Sequence, residues 1–276
     1  MKTVGFVGIG LMGEPMAKRL IDYYQVLVYN RTKSKTEEIV KEGAKYGDSP
    51  RRLTEEADYV VVMVSDDPAV EAVFEGEDGI FAADNHPILI NMSTITPELS
   101  KKMAEKAINA GFLYVEAPVS GTVGPARDGT LTILVAGQSD VIDQVRPVLQ
   151  LFGKQIYQFN NYGDALKVKL LVNLNLAVQT TVLAETLVKS KELGLNTKAV
   201  LEVINNSAVS TIISKVKGPN MIEDQFPTAF PYSHMIKDLT YGLDMAEIEL
   251  AEKTLEMYQR AEQDLDFSAI YKTLQK

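Results

Sequence analysis

The stretch Thr3-Val4-Gly5-Phe6-Val7-Gly8-Ile9-Gly10-Leu11-Met12-Gly13, almost at the start of the chain, decides the reading of the fold. Thr3 to Val7 is a short apolar run and predicts a buried strand. Gly8, Gly10 and Gly13 follow at G-x-G-x-x-G spacing, and Met16, Ala17, Leu20 and Ile21 then recur as the apolar face of a helix. Each glycine has a physical task. Gly8 permits a tight turn, Gly10 lets a pyrophosphate approach the backbone, and Gly13 lets helix and strand pack closely. The helix that follows offers N–H groups and a positive dipole end to phosphate. Glycine-rich turns are common, so the strand before and the helix after carry the inference. They predict a dinucleotide site built on Gly8, Ile9, Gly10, Leu11, Met12 and Gly13.

A second strand, Gln25-Val26-Leu27-Val28-Tyr29, runs into Asn30-Arg31-Thr32. An NAD-binding fold usually places an acid here, on the ribose 2′-hydroxyl. Here the position is neutral Asn30 and a cation follows. Asn30, Arg31 and Thr32 can all donate to a 2′-phosphate, Arg31 as a fork, and Lys33 and Lys35 add positive charge. The expected cofactor is NADP.

The chain has 276 residues, which suggests two domains and a core that needs no staples. It contains no Cys, which excludes disulfides, a thiol nucleophile and a thiolate metal site. Its two His, His86 and His234, lie far apart and match no metal-ligand spacing, so no metal is expected. With 28 basic and 37 acidic residues the net charge is −9, which argues against bulk nucleic-acid binding. No apolar stretch is expected to reach the roughly 18 residues that span a bilayer. Strand one begins too early to leave room for a signal peptide. The expectation is a cytoplasmic protein with no membrane partner.

Strand and helix alternate through about residue 160. Tyr59 to Val64 is continuously apolar, as a parallel strand buried on both faces should be. Pro87 to Asn91, Phe112 to Val115 and Leu131 to Ala136 read as further strands, with helices at Pro97 to Ala110 and Val141 to Leu151. This pattern predicts an α/β fold, a doubly wound Rossmann sheet with helices on both faces. After Gly163 the character changes. From Asp164 to Leu193 no Gly or Pro interrupts an apolar-rich helical run, which stops at Gly194. Helices are expected over Thr197 to Asn205, about Ser210 to Lys217, about Ser233 to Gln263, and Ser268 to Leu274. The division is therefore an NADP-binding Rossmann domain over 1–162 and an all-α substrate and dimerisation domain over 163–276. A helix as long and apolar as 164–193 needs a partner to bury its faces, so a homodimer or homotetramer is expected.

Chemistry should sit at the carboxyl ends of the strands. Asn91-Met92-Ser93-Thr94-Ile95-Thr96-Pro97 follows one strand, and also reads as a helix cap with Pro at the first helical position. Glu116-Ala117-Pro118-Val119-Ser120-Gly121-Thr122 follows another, and its small residues can present backbone N–H groups and hydroxyls to a carboxylate. On the long helix Lys169 and Asn173 stand four residues apart, hence on one face. Reduction of a carbonyl leaves an alkoxide that an ammonium can stabilise and protonate. Periodicity alone leaves Lys169 as readily a solvated lysine. Lys167, two residues earlier, points to another face. Lys237-Asp238 reads equally as a buried or a surface ion pair.

Over its whole length the chain resembles the β-hydroxyacid dehydrogenase family, in particular its NADPH-dependent glyoxylate/succinic semialdehyde reductases. The resemblance is carried by Gly5 to Gly13, Tyr29 to Thr32, Asn91 to Thr94, Ala117 to Gly121 and Lys169-x-x-x-Asn173. It continues through Lys217-Gly218-Pro219, Ala229-Phe230-Pro231, Lys237-Asp238 and Asp264 to Ala269. It implies that Lys169 is the catalytic acid, that Asn173 orients the site, and that Ser120 and Gly121, with Thr122 beside them, hold the substrate carboxylate. It further implies that Thr94 and Lys237 touch the nicotinamide end and that Phe230 and Asp238 contribute to the substrate site. Met63 and Val64 complete the expected cofactor set.

Two departures stand out. The family's common Ser-Gly-Gly is Ser120-Gly121-Thr122 here, which adds bulk where the carboxylate should lie. The glycine pair ahead of the lysine is reduced to Gly163, with Ala165 at the second place. The expected activity is NADPH-dependent reduction of a small carboxylate-bearing aldehyde to a hydroxy acid. The alternatives are a 3-hydroxyisobutyrate-type dehydrogenase and a non-catalytic NADP-binding scaffold. Retention of Lys169, Asn173, Ser120 and Lys237 together speaks against the last.

Overall fold

A computed structural model describes residues 1–261 and 264–275. Contacts divide the chain into two compact units, Met1–Lys169 and Leu170–Lys276.

The first unit contains the sheet. Its strands are β1 (Thr3–Val7), β2 (Gln25–Tyr29), β3 (Lys45–Tyr46), β4 (Tyr59–Val62), β5 (Ile88–Asn91), β6 (Leu113–Glu116), β7 (Val119–Ser120), β8 (Thr132–Ala136) and β9 (Gln155–Phe159). The order across the sheet begins β3-β2-β1-β4-β5-β6, all parallel, which is the Rossmann arrangement. Strand β8 then joins β6 antiparallel and pairs with β7 antiparallel and β9 parallel. Helices α1 (Gly13–Lys18), α2 (Glu37–Lys41), α3 (Pro50–Glu56), α4 (Asp67–Glu75), α5 (Pro97–Asn109), α6 (Val123–Asp128) and α7 (Ser139–Phe152) connect them.

Successive strand residues face opposite sides, so the apolar strands feed two cores. Val4, Phe6, Val28, Val61 and Ile90 pack with Met16 of α1, with Leu20 just after it, and with Val145, Leu149 and Phe152 of α7. Val7, Val60, Val62 and Leu89 pack with Phe74 of α4 and Leu99 and Met103 of α5. The doubly wound fold is as the alternating pattern predicts. Sequence reading passes over β9, whose residues are exposed or half-buried, and over β3 and β7, two residues each.

The second unit is helical among its described residues. Helix α8 (Asp164–Glu192) begins in the first unit and runs into it, followed by α9 (Thr197–Asn205), α10 (Ile212–Ile222), α11 (Tyr232–Met245), α12 (Glu249–Tyr258) and α13 (Ile270–Leu274). Its core gathers Leu174, Ala177, Leu187, Leu201, Met221, Met235, Leu239, Tyr258 and Phe267.

Three expectations are corrected here. The single helix expected from Ser233 is two: Ala246 and Ile248 are extended, and the chain breaks between α11 and α12, which pack together. Its expected end at Gln263 lies outside the described residues. Helix α10 continues past Lys217 through Gly218 and Pro219 to Ile222, and Gly218 seats against Leu201, where a Cβ would come within 2.5 Å. By length and composition α8 would suffice to cross a membrane, which corrects the expectation that no segment would. Half of its apolar window is buried within the protein, and a core helix meets the same test.

Candidate active site

Three strand ends converge where the strand order reverses between β1 and β4, the place where open α/β sheets bind ligands. Gly8 N–H donates to Tyr29 O at 2.9 Å, and Met63 N–H to Val7 O at 2.9 Å. Gly8 has φ +105°, and a Cβ on it would stand 2.1 Å from Met63 O. A Cβ on Gly13 would stand 1.8 Å from Gly8 O, so the helix start lies directly against the turn. Gly10 differs: a Cβ there would meet nothing within 4 Å. Two glycines are thus required by the protein's own backbone, while the third leaves open space above it. That is the shape a pyrophosphate needs, and the residues present fit a dinucleotide.

The turn after β2 has hydrogen bonds of its own. Asn30 Oδ1 accepts from Ile9 N–H at 3.0 Å, and its Nδ2 donates one of its two hydrogens to Thr32 O at 2.9 Å. Asn30 therefore ties the glycine turn to the next strand end. Arg31 and Thr32 are exposed beside it, and Lys33 lies over the Tyr46 ring at 4.3 Å.

The rim continues along the sheet. Val64 N–H donates to Ser93 Oγ at 3.0 Å, and Ser93 N–H to Asn91 Oδ1 at 3.1 Å, which holds the half-buried Thr94 next to them. Thr96 caps α5 by accepting from Leu99 N–H, with Pro97 at the first helical turn. Asp67 of α4 anchors that cap, accepting from Thr96 N–H at 2.9 Å and Thr96 Oγ1 at 2.6 Å. The helix-cap reading of this segment therefore holds, and the segment follows the end of β5.

Ser120 ends β7, paired to Thr132 of β8. Gly121 has φ +139°, and a Cβ would lie 2.6 Å from Leu131, so no other residue fits there without strain. Thr122 precedes α6 with extended backbone, and its side chain does not cap the helix.

Lys169 is 7% exposed and Asn173 2%, one turn apart on α8. Asn173 Nδ2 donates to Asp238 Oδ2 at 2.5 Å, and Lys237 Nζ meets Asp238 Oδ1 at 2.8 Å as an ion pair. Lys237 also faces the Tyr241 ring. The second unit therefore brings buried Asn173 and Asp238 together with half-buried Lys237. Oδ2 is hydrogen-bonded to Asn173, whereas Oδ1 has the Lys237 ammonium beside it as an ion pair without a hydrogen bond. A carboxylate so placed orients Asn173 and Lys237, and would repel a substrate carboxylate.

Phe230 is held from its backbone. Asp266, fully buried, accepts from Ala229 N–H and Phe230 N–H on Oδ2, and from Lys217 Nζ at 2.8 Å and Ser268 on Oδ1. Burial alone would raise its carboxyl, but Lys217, Ser268 and the Ala229 N–H outweigh that and hold it below the ordinary value. Neither Asp266 nor Lys217 figures among the expected site residues. A Lys and an Asp forty-nine positions apart give no sign of pairing, although both lie in segments that carry the family resemblance.

A glycine turn at a Rossmann switch point, followed by a helix that buries a lysine and an asparagine one turn apart, defines an NAD(P)-dependent oxidoreductase. Residues 3–161 match the NAD-binding domain of 6-phosphogluconate dehydrogenase, and residues 163–274 match the NAD-binding domain of NADP-dependent 3-hydroxyisobutyrate dehydrogenase. The chain is 34% identical to glyoxylate/succinic semialdehyde reductase 2, chloroplastic, of Arabidopsis thaliana, over 99% of this chain and 79% of that protein. It is 33% identical to glyoxylate/succinic semialdehyde reductase 1 of the same plant, over 97% and 96%. Among solved structures, Mycobacterium tuberculosis 3-hydroxyisobutyrate dehydrogenase with L-serine superposes with a TM-score of 0.89 at 27% identity, covering 100% of both chains. The chain belongs to the β-hydroxyacid dehydrogenase family, among its 3-hydroxyisobutyrate dehydrogenase-like members.

Proposed function

We propose that this protein reduces small aldehyde acids, of the kind of glyoxylate and succinic semialdehyde, to hydroxy acids with NADPH. The observation that carries the reading is Lys169, a lysine buried on α8 with Asn173 one turn further along. Gly8 to Gly13, Arg31, Thr32, Met63, Val64 and Thr94 would hold the cofactor, whose nicotinamide supplies hydride when bound. Ser120, Gly121 and Thr122 would fix the substrate carboxylate through backbone N–H groups and hydroxyls. As the carbonyl carbon gains hydride, its oxygen gains negative charge, and the Lys169 ammonium gives that oxygen a proton. Asn173, oriented by Asp238, would hold the substrate oxygen or the lysine in place.

NADPH is favoured because the turn after β2 offers no acid to the 2′-position and Arg31 could serve there as a forked donor. A charged hydrogen bond of this kind contributes about 1.5–3 kcal/mol, or roughly one to two decades of affinity. Replacing Arg31 with Ala should lower the NADPH/NADH ratio of kcat/KM by about that factor. Asn30→Asp is the poorer variant, since one of its oxygens would face Thr32 O where an amide now donates.

The test is a panel of aldehyde acids and hydroxy acids assayed with both cofactors. Highest kcat/KM for a small aldehyde acid with NADPH is the expected result. Equal kcat/KM with NADH would overturn the cofactor reading. Activity confined to oxidation of 3-hydroxy acids would overturn the substrate reading in favour of a dehydrogenase.

A further inference from the structure

Helix α8 starts at a residue that cannot cap it. Gly163 stands before the first helical residue with φ +90°, and a Cβ there would come within 2.8 Å of Lys101 Cε and 3.2 Å of Pro97 O. The position therefore requires glycine, and glycine brings no side-chain oxygen for the N–H groups that open a helix. Glu116, the last residue of β6 and 1% exposed, supplies the oxygens instead. Its Oε2 accepts from Gly163 N–H at 2.6 Å, and its Oε1 from Leu166 N–H at 3.0 Å. Ser100 Oγ on α5 donates to Oε2 at 2.6 Å. One carboxylate thus joins the sheet, α5 and the first turn of α8, three residues before Lys169.

A cap alone needs no buried charge. Burial pushes the Glu116 carboxyl up, and the three donors offset this only in part. Asp164 pushes it further up; Lys167, which is paired to Asp164, and the phenols of Tyr114 and Tyr162 also lie within its field. Two bonds from one carboxylate to the helix start can set its rotation. A helix turns about 100° per residue, so a start displaced by one residue would swing Lys169 to another face.

We propose that Glu116 is a positioning residue for the reaction: by receiving the Gly163 and Leu166 N–H groups it sets the rotation of α8 and so the place of the Lys169 ammonium. The inference rests on the reading of Lys169 as proton donor.

Glu116→Gln tests it, because the amide keeps the volume but turns a donor toward N–H or O–H groups that need an acceptor. A proton donor displaced by about 1 Å can cost up to roughly 10²-fold, so kcat should fall by about 10- to 100-fold, with KM and NADPH affinity nearly unchanged. Loss of a negative charge at the first turn of α8 should also move the basic limb of the kcat–pH profile to lower pH. Ser100→Ala, which leaves both helix bonds in place, should show the same split in smaller degree, and it decides the matter if Glu116→Gln fails to fold. A folded variant with wild-type kcat and an unmoved pH profile overturns the proposal. Lys169→Ala, assayed alongside, separates the two readings. If it is active, the proton-donor reading fails and takes this inference with it. If it is inactive while Glu116→Gln is unaffected, only the positioning role fails.

Discussion

Lys167 Nζ pairs with Asp164 Oδ1 at 2.9 Å and keeps 40% of its side chain exposed, whereas Lys169, about 200° further round the same helix, is buried. An exposed pair three residues apart contributes at most a few tenths of a kcal/mol, so Lys167 has little to lose. Lys169 occupies a site where an ammonium is costly to bury and is retained. Lys169→Ala should therefore lower kcat by about 10²–10⁴, the usual range for a general acid, with NADPH binding little changed. Lys167→Ala should be nearly silent in the same steady-state assay. The reverse pattern would place the wrong lysine at the reacting oxygen. At this scale spacing shows which residues share a face, but not what surrounds that face. That Lys169 and Asn173 lie together is legible in four-residue spacing. That Asn30 spends its amide on Ile9 and Thr32 is not, because an asparagine after a strand suits a phosphate and a backbone turn equally.

Elements were legible where hydrophobic period and punctuation agreed. The glycine turn, the run Tyr59 to Val64 and the helix ending at Gly194 carry both signals. The break between α11 and α12 carries neither, since Ala246-Glu247-Ile248 contains no glycine or proline. Packing of the two helices against each other sets it. The loop that carries Phe230 has a similarly distant cause, the buried pair Lys217–Asp266. Breaking such a pair by removing one partner costs about 3–5 kcal/mol, because a buried charge is left uncompensated. Asp266→Asn should lower stability by about that amount in urea denaturation at neutral pH. The Asp266 carboxyl is held below its ordinary value in the folded protein. Its contribution is therefore complete above the unfolded pKa of about 3.9 and is lost as pH falls through the lower folded value. The gap between wild type and Asp266→Asn should accordingly narrow in acid. A gap independent of pH would mean that the ion pair is not what Asp266 contributes.

On the scale of the whole molecule, the question is what the exposed face of α8 is for. Leu171, Val172 and Val182 are 44%, 41% and 57% exposed, and with Asn175, Gln179 and Thr186 they form one stripe at three- and four-residue spacing. The second unit adds Val203, Ile212 and Val216, all more than half exposed. Single apolar residues on a surface need no explanation, but three exposed along one face of a helix make a surface that a partner could cover. A second copy of this chain is the occupant we expect, since closed symmetric pairs are the commonest assemblies and present one patch to itself. Full burial of a Val or Leu side chain contributes about 1.5–3 kcal/mol, so a handful of them, repeated by symmetry, suffices for a stable interface. Sedimentation at micromolar concentration should return a homodimer or homotetramer. Val182→Glu should shift it toward monomer, because burying an unpaired carboxylate costs more than the valine gained. A wild-type monomer under those conditions would refute the expectation, and α8 would then be a long helix whose apolar stripe simply faces water.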